Sequence, residues 1–403
     1  MWKNRILYLS FLFLSLLFIY FYGGKIPYMM FYTVASLPVL SLAHSIGLFV
    51  SLKYIQKIDR QFVIKGDTIH YSLSISNESI LMFPYVRAIF YGTSAILGMQ
   101  FPEKSFSLPP FGKIDLSFKL KCNYRGNYEI GIKLIEIGDL LGMFKIKCKI
   151  KSPMQLTVYP KIINLEKMLL SSDSPTECNS NKNNTLFEDF LTILDIRKYA
   201  YGDSLKRVHW KLTAKAGELM VKKFQHTSEK ETYLILDLKK NRFSPEENIV
   251  IEDKVIEVVI SVIYYCLSSG IPVNLLYIKD KPVKIEANSL SSFDEIYKNL
   301  ACIPFNEETG LEDILETFVA DNADKTNIIA FTSNIDFDLY SQICRLQAYG
   351  QNIAIVYVSG EEVTGIKDPD KDNMLRSLRE TGVNVFNANI HDDLKPILEQ
   401  QVI

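Results

Sequence analysis

The chain has 403 residues, with 45 Lys and Arg against 46 Asp and Glu, so its formal net charge is −1. That balance removes any global electrostatic case for nucleic acid, and the length left after an apolar start suits two domains with real cores. Six cysteines without C-x-x-C spacing or a Cys/His cluster indicate neither zinc nor a disulfide framework.

Two uncharged apolar runs open the chain, Ile6 to Tyr22 and Ile26 to Leu52, separated by Gly23-Gly24-Lys25. At about 1.5 Å per residue either can cross a hydrocarbon core of about 30 Å, the second with a tilt or a kink near Pro38. They predict a two-span membrane hairpin over residues 1–54. A cleavable signal peptide fits less well, because no small-residue cleavage site follows the first run. Lys3 and Arg5 precede the hairpin, Lys25 alone sits in its turn, and Lys53, Lys57, Arg60 and Lys65 follow it. The N-terminus and the remaining body are therefore expected in the cytoplasm, where the cysteines stay reduced. His44, with no acidic partner in either span, reads as a neutral helix-packing residue.

From 55 to 165 the pattern is that of strands. Phe62-Val63-Ile64, the turn Lys65-Gly66-Asp67 and the alternating Ile69 to Ile75 lead the segment. Similar stretches recur at Tyr85 to Tyr91, Ile114 to Leu120 and Tyr128 to Ile137. Short strands with turn signals between them predict a β-sandwich. Residues 166–186, rich in Ser, Asn and Asp over Ser171 to Thr185, predict a mobile surface loop. Residues 187–231 carry the densest run of unusual residues.

Over 232–403 the period changes. Buried strands are expected at Tyr233 to Asp237, Val273 to Ile278, Ile328 to Phe331, Ile353 to Val358 and Val383 to Phe386. Helices are expected at Ile249 to Ser268, Phe293 to Leu300, Leu311 to Val319, Asp338 to Tyr349 and Met374 to Glu380. Alternation of the two predicts a doubly wound α/β domain with a largely parallel sheet. Such sheets bind ligands beyond the carboxyl ends of their strands, and those ends carry Asp237, Thr332, Ser333 and Ser359.

Between these regions stand Arg197-x-Tyr199-x-x-Gly202-Asp203, then Val208-His209-Trp210-Lys211-x-Thr213-Ala214, then Gly217-x-Leu219-x-Val221-x-x-Phe224. Upstream lie Tyr124-Arg125-Gly126-x-Tyr128-x-Ile130-Gly131, Gly138-Asp139-x-x-Gly142-Met143-Phe144 and Val158-Tyr159-Pro160. In order and spacing these pieces resemble a bacterial family known as domain of unknown function 58. Ser204 stands where proline is frequent in that family, and Lys215 where arginine is usual. The resemblance implies a bacterial, membrane-anchored protein with a von Willebrand A-like domain, commonly encoded beside a MoxR-type AAA+ ATPase. It brings no established enzymatic activity.

A von Willebrand A-like domain often holds Mg²⁺ through Asp-x-Ser-x-Ser after its first strand. This chain reads Asp237-Leu238-Lys239-Lys240-Asn241, which puts an ammonium where a hydroxyl ligand belongs. Ser333 stands near where a distal aspartate would be expected. Asp237, Asn241, Thr332 and Ser333 are thus candidates for a degenerate site in which Lys239 neutralises Asp237, and no cofactor is expected.

The central motif is basic, with Arg197, Lys198, Lys206, Arg207, Lys211, Lys215, Lys222 and Lys223 against Asp195, Asp203 and Glu218. One reading makes it structural, with Arg197 and Asp203 paired, Gly202 in a turn and Trp210 packed between domains. Another makes Arg197, Tyr199, Gly202, Asp203, Lys206, Arg207, His209, Trp210 and Lys211 a contact for an acidic partner. Hydrolysis by Asp203 and His209 lacks a nucleophile signature in the sequence. The expected function is a non-enzymatic, membrane-anchored scaffold or adaptor partnering a MoxR-type ATPase. The rival classes are a metal-dependent ligand-binding module and a hydrolase.

Overall fold

The structure is a computed structural model that describes residues 2–91, 104–168, 193–198, 210–224, 232–321 and 326–399. It divides into two compact units, Met1–Tyr159 and Pro160–Ile403.

The first unit begins with α1 (Trp2–Tyr22) and α2 (Lys25–Ser51), joined by Gly23 and Gly24 in positive-φ conformations. Both helices are long and apolar enough to cross a membrane, and their side chains are largely exposed. Helices apolar on every side and left uncovered are suited to lipid contact. Pro38 lies inside α2.

Three sheets follow. One joins β1 (Leu52–Ile58), β3 (Thr68–Asn77) and β6 (Lys113–Lys121). Another joins β2 (Phe62–Ile64), β10 (Met154–Tyr159) and β7 (Gly126–Ile130). The last runs in the order β5 (Lys104–Leu108), β4 (Phe83–Phe90), β8 (Ile132–Gly138), β9 (Lys145–Lys149). Period-2 alternation sends Ile69, Tyr71, Leu73 and Ile75 inward from β3. They share one core with Phe83, Val86, Ile130, Ile132 and Leu156, and each such burial stabilises by about 1.5–3 kcal/mol.

The single strand expected over Tyr128 to Ile137 is two. Gly131, at φ +122, breaks it, so that β7 pairs with β10 while β8 pairs with β4. A glycine inside a strand pattern marks such a bend.

The second unit starts with a strap. Pro160 O accepts from the Tyr297 hydroxyl at 2.6 Å, Ile163 N–H donates to Ser261 Oγ at 3.0 Å, and Met168 is fully buried. The antiparallel pair β11 (Ile193–Lys198) and β12 (Met220–Phe224) and the short α3 (Trp210–Ala216) come next.

The main sheet contains β13 (Thr232–Leu236), β14 (Val273–Lys279), β15 (Lys281–Ala287), β16 (Asn327–Thr332), β17 (Asn352–Ser359) and β18 (Asn384–Asn389), in the order β15-β14-β13-β16-β17-β18. All pairings are parallel except β14 with β15. The strands alternate between two cores. Leu234, Leu236, Phe331 and Val356 face α4 (Pro245–Ser268) and α5 (Phe293–Ala301). Tyr233, Ile235, Ala330 and Ile355 face α6 (Leu311–Asp321), α7 (Phe337–Ala348) and α9 (Pro369–Glu380), the one-turn α8 (Glu361–Thr364) lying before α9. Ser244 and Glu247 form a capping box ahead of Pro245, which fixes where α4 begins. The edge strand β15 was not expected from the sequence; its Pro282 and its lysines 281 and 284 hide a weak alternation of Val283, Ile285 and Ala287.

Candidate functional site

Strand β13 sends the chain to β14 on one side, while β16 lies on the other. The order reverses between β13 and β16, and the carboxyl ends flanking that point are where open α/β sheets receive ligands. Asp237 follows β13 directly, Thr332 closes β16, and Ser333 comes next. The structure brings these residues and Asn241 together as the sequence places them.

Asp237 is almost wholly buried. Its Oδ1 accepts from the Lys239 backbone N–H at 2.9 Å, and the Thr332 hydroxyl lies 2.6 Å from its Oδ2. That hydroxyl also lies 2.8 Å from Asn334 O and accepts from Asn334 N–H at 2.9 Å. One hydroxyl proton can serve only one of two acceptors. A proton on Asp237 Oδ2, donated to Thr332, frees the hydroxyl for Asn334 and satisfies every group. Burial pushes the Asp237 carboxyl up to about 6, against the Thr332 and Lys239 hydrogen bonds that pull it down. Glu312 adds to the rise, and the Lys239 charge opposes it.

Asn241, also buried, accepts at Oδ1 from Ser333 Oγ at 3.2 Å and from Asn334 Nδ2 at 2.7 Å. Turning this amide alone over would set its NH₂ against the Asn334 NH₂. Its Nδ2 has no hydrogen-bond partner.

The Lys239 ammonium does not reach Asp237 as a hydrogen-bond partner, contrary to the expected neutralising contact. It pairs with Glu312 at 2.7 Å and Asp336 at 3.4 Å. Burial alone would lower its pKa, but the hydrogen bond and charge of Glu312, then those of Asp336, raise it. Asp336 does double service, since its Oδ1 caps α7 by accepting from Leu339 N–H at 3.0 Å. Glu312 stands in the first turn of α6. Sequence reading missed Glu312, Asn334 and Asp336. The cap pattern at Asp336 could have marked that residue, whereas Asn334 leaves no signal.

A Mg²⁺-type ion needs hard oxygens converging in near-octahedral order. Here both Asp237 oxygens and Asn241 Oδ1 are already engaged, and the third position supplies an ammonium. This donor set does not fit a divalent cation.

Of the central motif, Tyr199, Gly202, Asp203, Lys206, Arg207 and His209 lie outside the described residues, as do residues 169–186 of the loop predicted at 166–186, whose first residues 166–168 are described and include the buried Met168. Arg197 stands in β11 opposite Val221 of β12. Trp210 and Lys211 open α3, and Trp210 is 65% exposed. Thr213 closes the helix, its carbonyl accepting from Gly217 N–H and its hydroxyl from Met220 N–H, both at 3.0 Å.

Two apolar helices long enough to span a membrane, a sheet-rich body and a mixed six-stranded α/β sheet define the class of protein. Residues 195–363 match the model of the family described as Protein of unknown function DUF58. It is similar to the uncharacterized protein YeaD of Bacillus subtilis (strain 168), at 22% identity over 291 residues, 70% of each chain. Solved structures with partial likeness include a CARDB domain from Pyrococcus furiosus in complex with di-metal ions. It is 16% identical with a TM-score of 0.19, over 27% of this chain and 93% of that one. A β-glucosidase from Listeria innocua is 10% identical with a TM-score of 0.16, over 27% of this chain and 16% of that one. Scores this low carry no argument about fold or function.

Proposed function

We propose that this chain is a non-enzymatic, membrane-anchored scaffold or adaptor on the cytoplasmic face. In this reading the hairpin anchors a β-sandwich and a von Willebrand A-like domain, and the body receives a MoxR-type AAA+ ATPase. The strand order, equivalent to 3-2-1-4-5-6 with an antiparallel third strand, supports the von Willebrand A-like assignment. The internally engaged cluster at Asp237 and Lys239 supports a role without metal chemistry.

The observation that carries the reading is the exposed Trp210 beside Lys211 at the start of α3. Exposed tryptophan is the side chain most often found to dominate a protein contact, and the basic stretch around it supplies steering for an acidic partner. The test is capture of the co-encoded MoxR-type ATPase by the full chain in detergent micelles. Trp210→Ala is expected to melt within about 0.5 kcal/mol of the parent, as surface changes do, yet to lose capture at least about tenfold, which corresponds to 1.4 kcal/mol. Lys211→Glu should weaken capture while keeping the fold. Full capture by both variants overturns the docking role, and capture that requires added Mg²⁺ points instead to a metal-dependent module.

The basic flanks of the hairpin motivate the cytoplasmic assignment. Cys302 is exposed. A chain retaining Cys302 alone should resist an impermeant maleimide in intact cells and react after lysis. Labelling of intact cells would reverse the topology and remove the ATPase from reach.

A further inference from the structure

Two loops of the β-rich unit are fastened to the hairpin where it meets that unit, and a third is held through one of them. The turn after β8 holds Asp139, buried, whose Oδ2 accepts from Ser41 Oγ of α2 and whose Oδ1 accepts from Phe144 N–H at 2.9 Å. In the same turn Leu141 O accepts from Asn4 Nδ2 at 2.9 Å and Met143 O from Arg5 Nε at 3.0 Å. Gly142, at φ +63, lies so close to Asn4 that a Cβ there would collide with it.

The other two loops are tied to each other through Asn77, whose Nδ2 donates to Leu81 O at 2.7 Å and to Pro109 O at 2.9 Å. Glu78 N–H donates to Ser51 O at the end of α2, Phe111 N–H donates to Ser79 O, and Leu81 approaches α2 at Gly47.

These loops project apolar side chains that are exposed among the described residues of the unit. Ile80 is 77% exposed, Phe111 70% and Leu140 62%, with Met82 and Leu141 also exposed. Phe111 does so from a positive φ of 54°, a backbone state that non-glycine residues rarely adopt.

The depth of the fastening points says what lies outside them. Helix α2 has 27 residues, roughly 40 Å, about 10 Å more than a hydrocarbon core. A core about 30 Å thick measured from Lys25 ends about 20 residues on, near Ser45, so Ser41 falls about one turn inside it. On α1, Asn4 stands two residues ahead of Ile6, where the uncharged run begins. Both helices thus put the turn holding Leu140 and Leu141 at the bilayer boundary.

We infer that Ile80, Met82, Phe111, Leu140 and Leu141 form a collar that enters the bilayer interface and seats the β-rich unit on the membrane. The inference rests on the reading of α1 and α2 as membrane spans. The occupant is lipid because Leu140 and Leu141 continue the surface of the two helices where lipid begins, while the loops holding Ile80, Met82 and Phe111 attach at Gly47 and Ser51, about 3 to 9 Å further out at headgroup level. Large apolar side chains at this level, with loop carbonyls engaged by Asn4, Arg5 and Asn77 and the Asp139 carboxylate by Ser41, meet the conditions for interfacial burial. The collar fixes the orientation of the unit relative to the membrane plane.

The test uses the full chain in phosphatidylcholine vesicles, in a background with Trp2→Phe and Trp210→Phe. Single tryptophans are placed by Leu140→Trp or Phe111→Trp in the collar, Val39→Trp in α2, and Phe62→Trp, which follows the far end of β1. Emission is compared between ordinary lipid and lipid brominated on the acyl chain near the headgroup. Both collar probes and the α2 probe should lose at least about half their emission in brominated lipid, and the Phe62 probe should keep its own. Quenching at Val39→Trp with neither collar probe affected overturns the collar while the spans stand, and leaves a protein partner as occupant. No quenching at Val39→Trp removes the spans and the collar together.

Discussion

Asp237→Asn is expected to stabilise the protein above about pH 6 and to leave it little changed near pH 4. Burial holds the Asp237 carboxyl up near 6 in the folded chain, against an ordinary value of about 3.9 in the unfolded one. A group whose pKa is raised by folding binds its proton more tightly in the native state. Its contribution to stability is fully present below the unfolded value and is lost as pH rises through the folded one. At neutral pH the native chain therefore carries the cost of a buried, ionised carboxylate, about two pKa units or roughly 3 kcal/mol as an upper figure.

Asparagine removes that cost without breaking the network. Its Oδ1 can accept from Lys239 N–H, and its Nδ2 can donate to Thr332 as the protonated acid would. The Thr332 hydroxyl then remains free for Asn334. Thermal melting of the full chain in micelles from pH 4.5 to 8 measures the effect. The difference between variant and parent should open as pH rises, reaching on the order of 5–10 °C for a unit of this size. A constant difference across the range, or a variant less stable at pH 8, would show that the parent carboxylate is accommodated as an anion. The proton argument would then be wrong.

The same site shows how far the sequence can be read. Asp237, Thr332 and Ser333 were legible because sheet topology alone puts strand ends side by side, and a strand–helix alternation is visible in the apolar pattern. The partners of Lys239 were not. Glu312 and Asp336 lie 73 and 97 residues further along the chain, and nothing local marks them as acids aimed at one ammonium. Proximity in sequence suggested Asp237 as the partner of Lys239, but the short connection brings the backbone N–H to the carboxylate and sends the long side chain away from it.

In the first unit the apolar runs announced the helices from hydrophobicity alone. The turn at Asp139 that grips them stands out in the sequence only as Gly138-Asp139-x-x-Gly142, which says nothing of its purpose. Its contacts to Asn4, Arg5 and Ser41 span about a hundred residues or more, and no periodicity encodes such a meeting. The alternation from Tyr128 to Ile137 was read as one strand for a related reason. Hydrophobic pattern reports which side chains are buried, and both halves are buried in the same core although they belong to different sheets.

Gly131→Ala should therefore be among the most damaging single-methyl changes in the β-rich unit, with a loss of about 3–5 kcal/mol. Part of that is backbone strain of about 1–3 kcal/mol, because φ is +122 at this position. The rest comes from the neighbour. A Cβ would collide with Gln56 Oε1, and that oxygen accepts from the Tyr71 hydroxyl at 2.8 Å and from Ile132 N–H at 2.9 Å. Moving it draws the acceptor away from both donors, and weakening each bond costs about 0.5–1.5 kcal/mol, with Tyr71 wholly buried. Gln56 stands on β1, which leaves α2 directly, so the close approach at Gly131 clamps the strand leaving the hairpin onto the rest of the unit. Gly66→Ala is the control, since its φ is +96 but a Cβ would meet nothing within 4 Å; it should lose only the strain. Denaturant or thermal unfolding of both variants in micelles measures the gap. Combining Gly131→Ala with Gln56→Ala relieves the collision, so the double variant should be more stable than the sum of the single losses predicts. Equal losses for the two glycines, or strictly additive losses at Gly131 and Gln56, would show that the clamp contributes nothing.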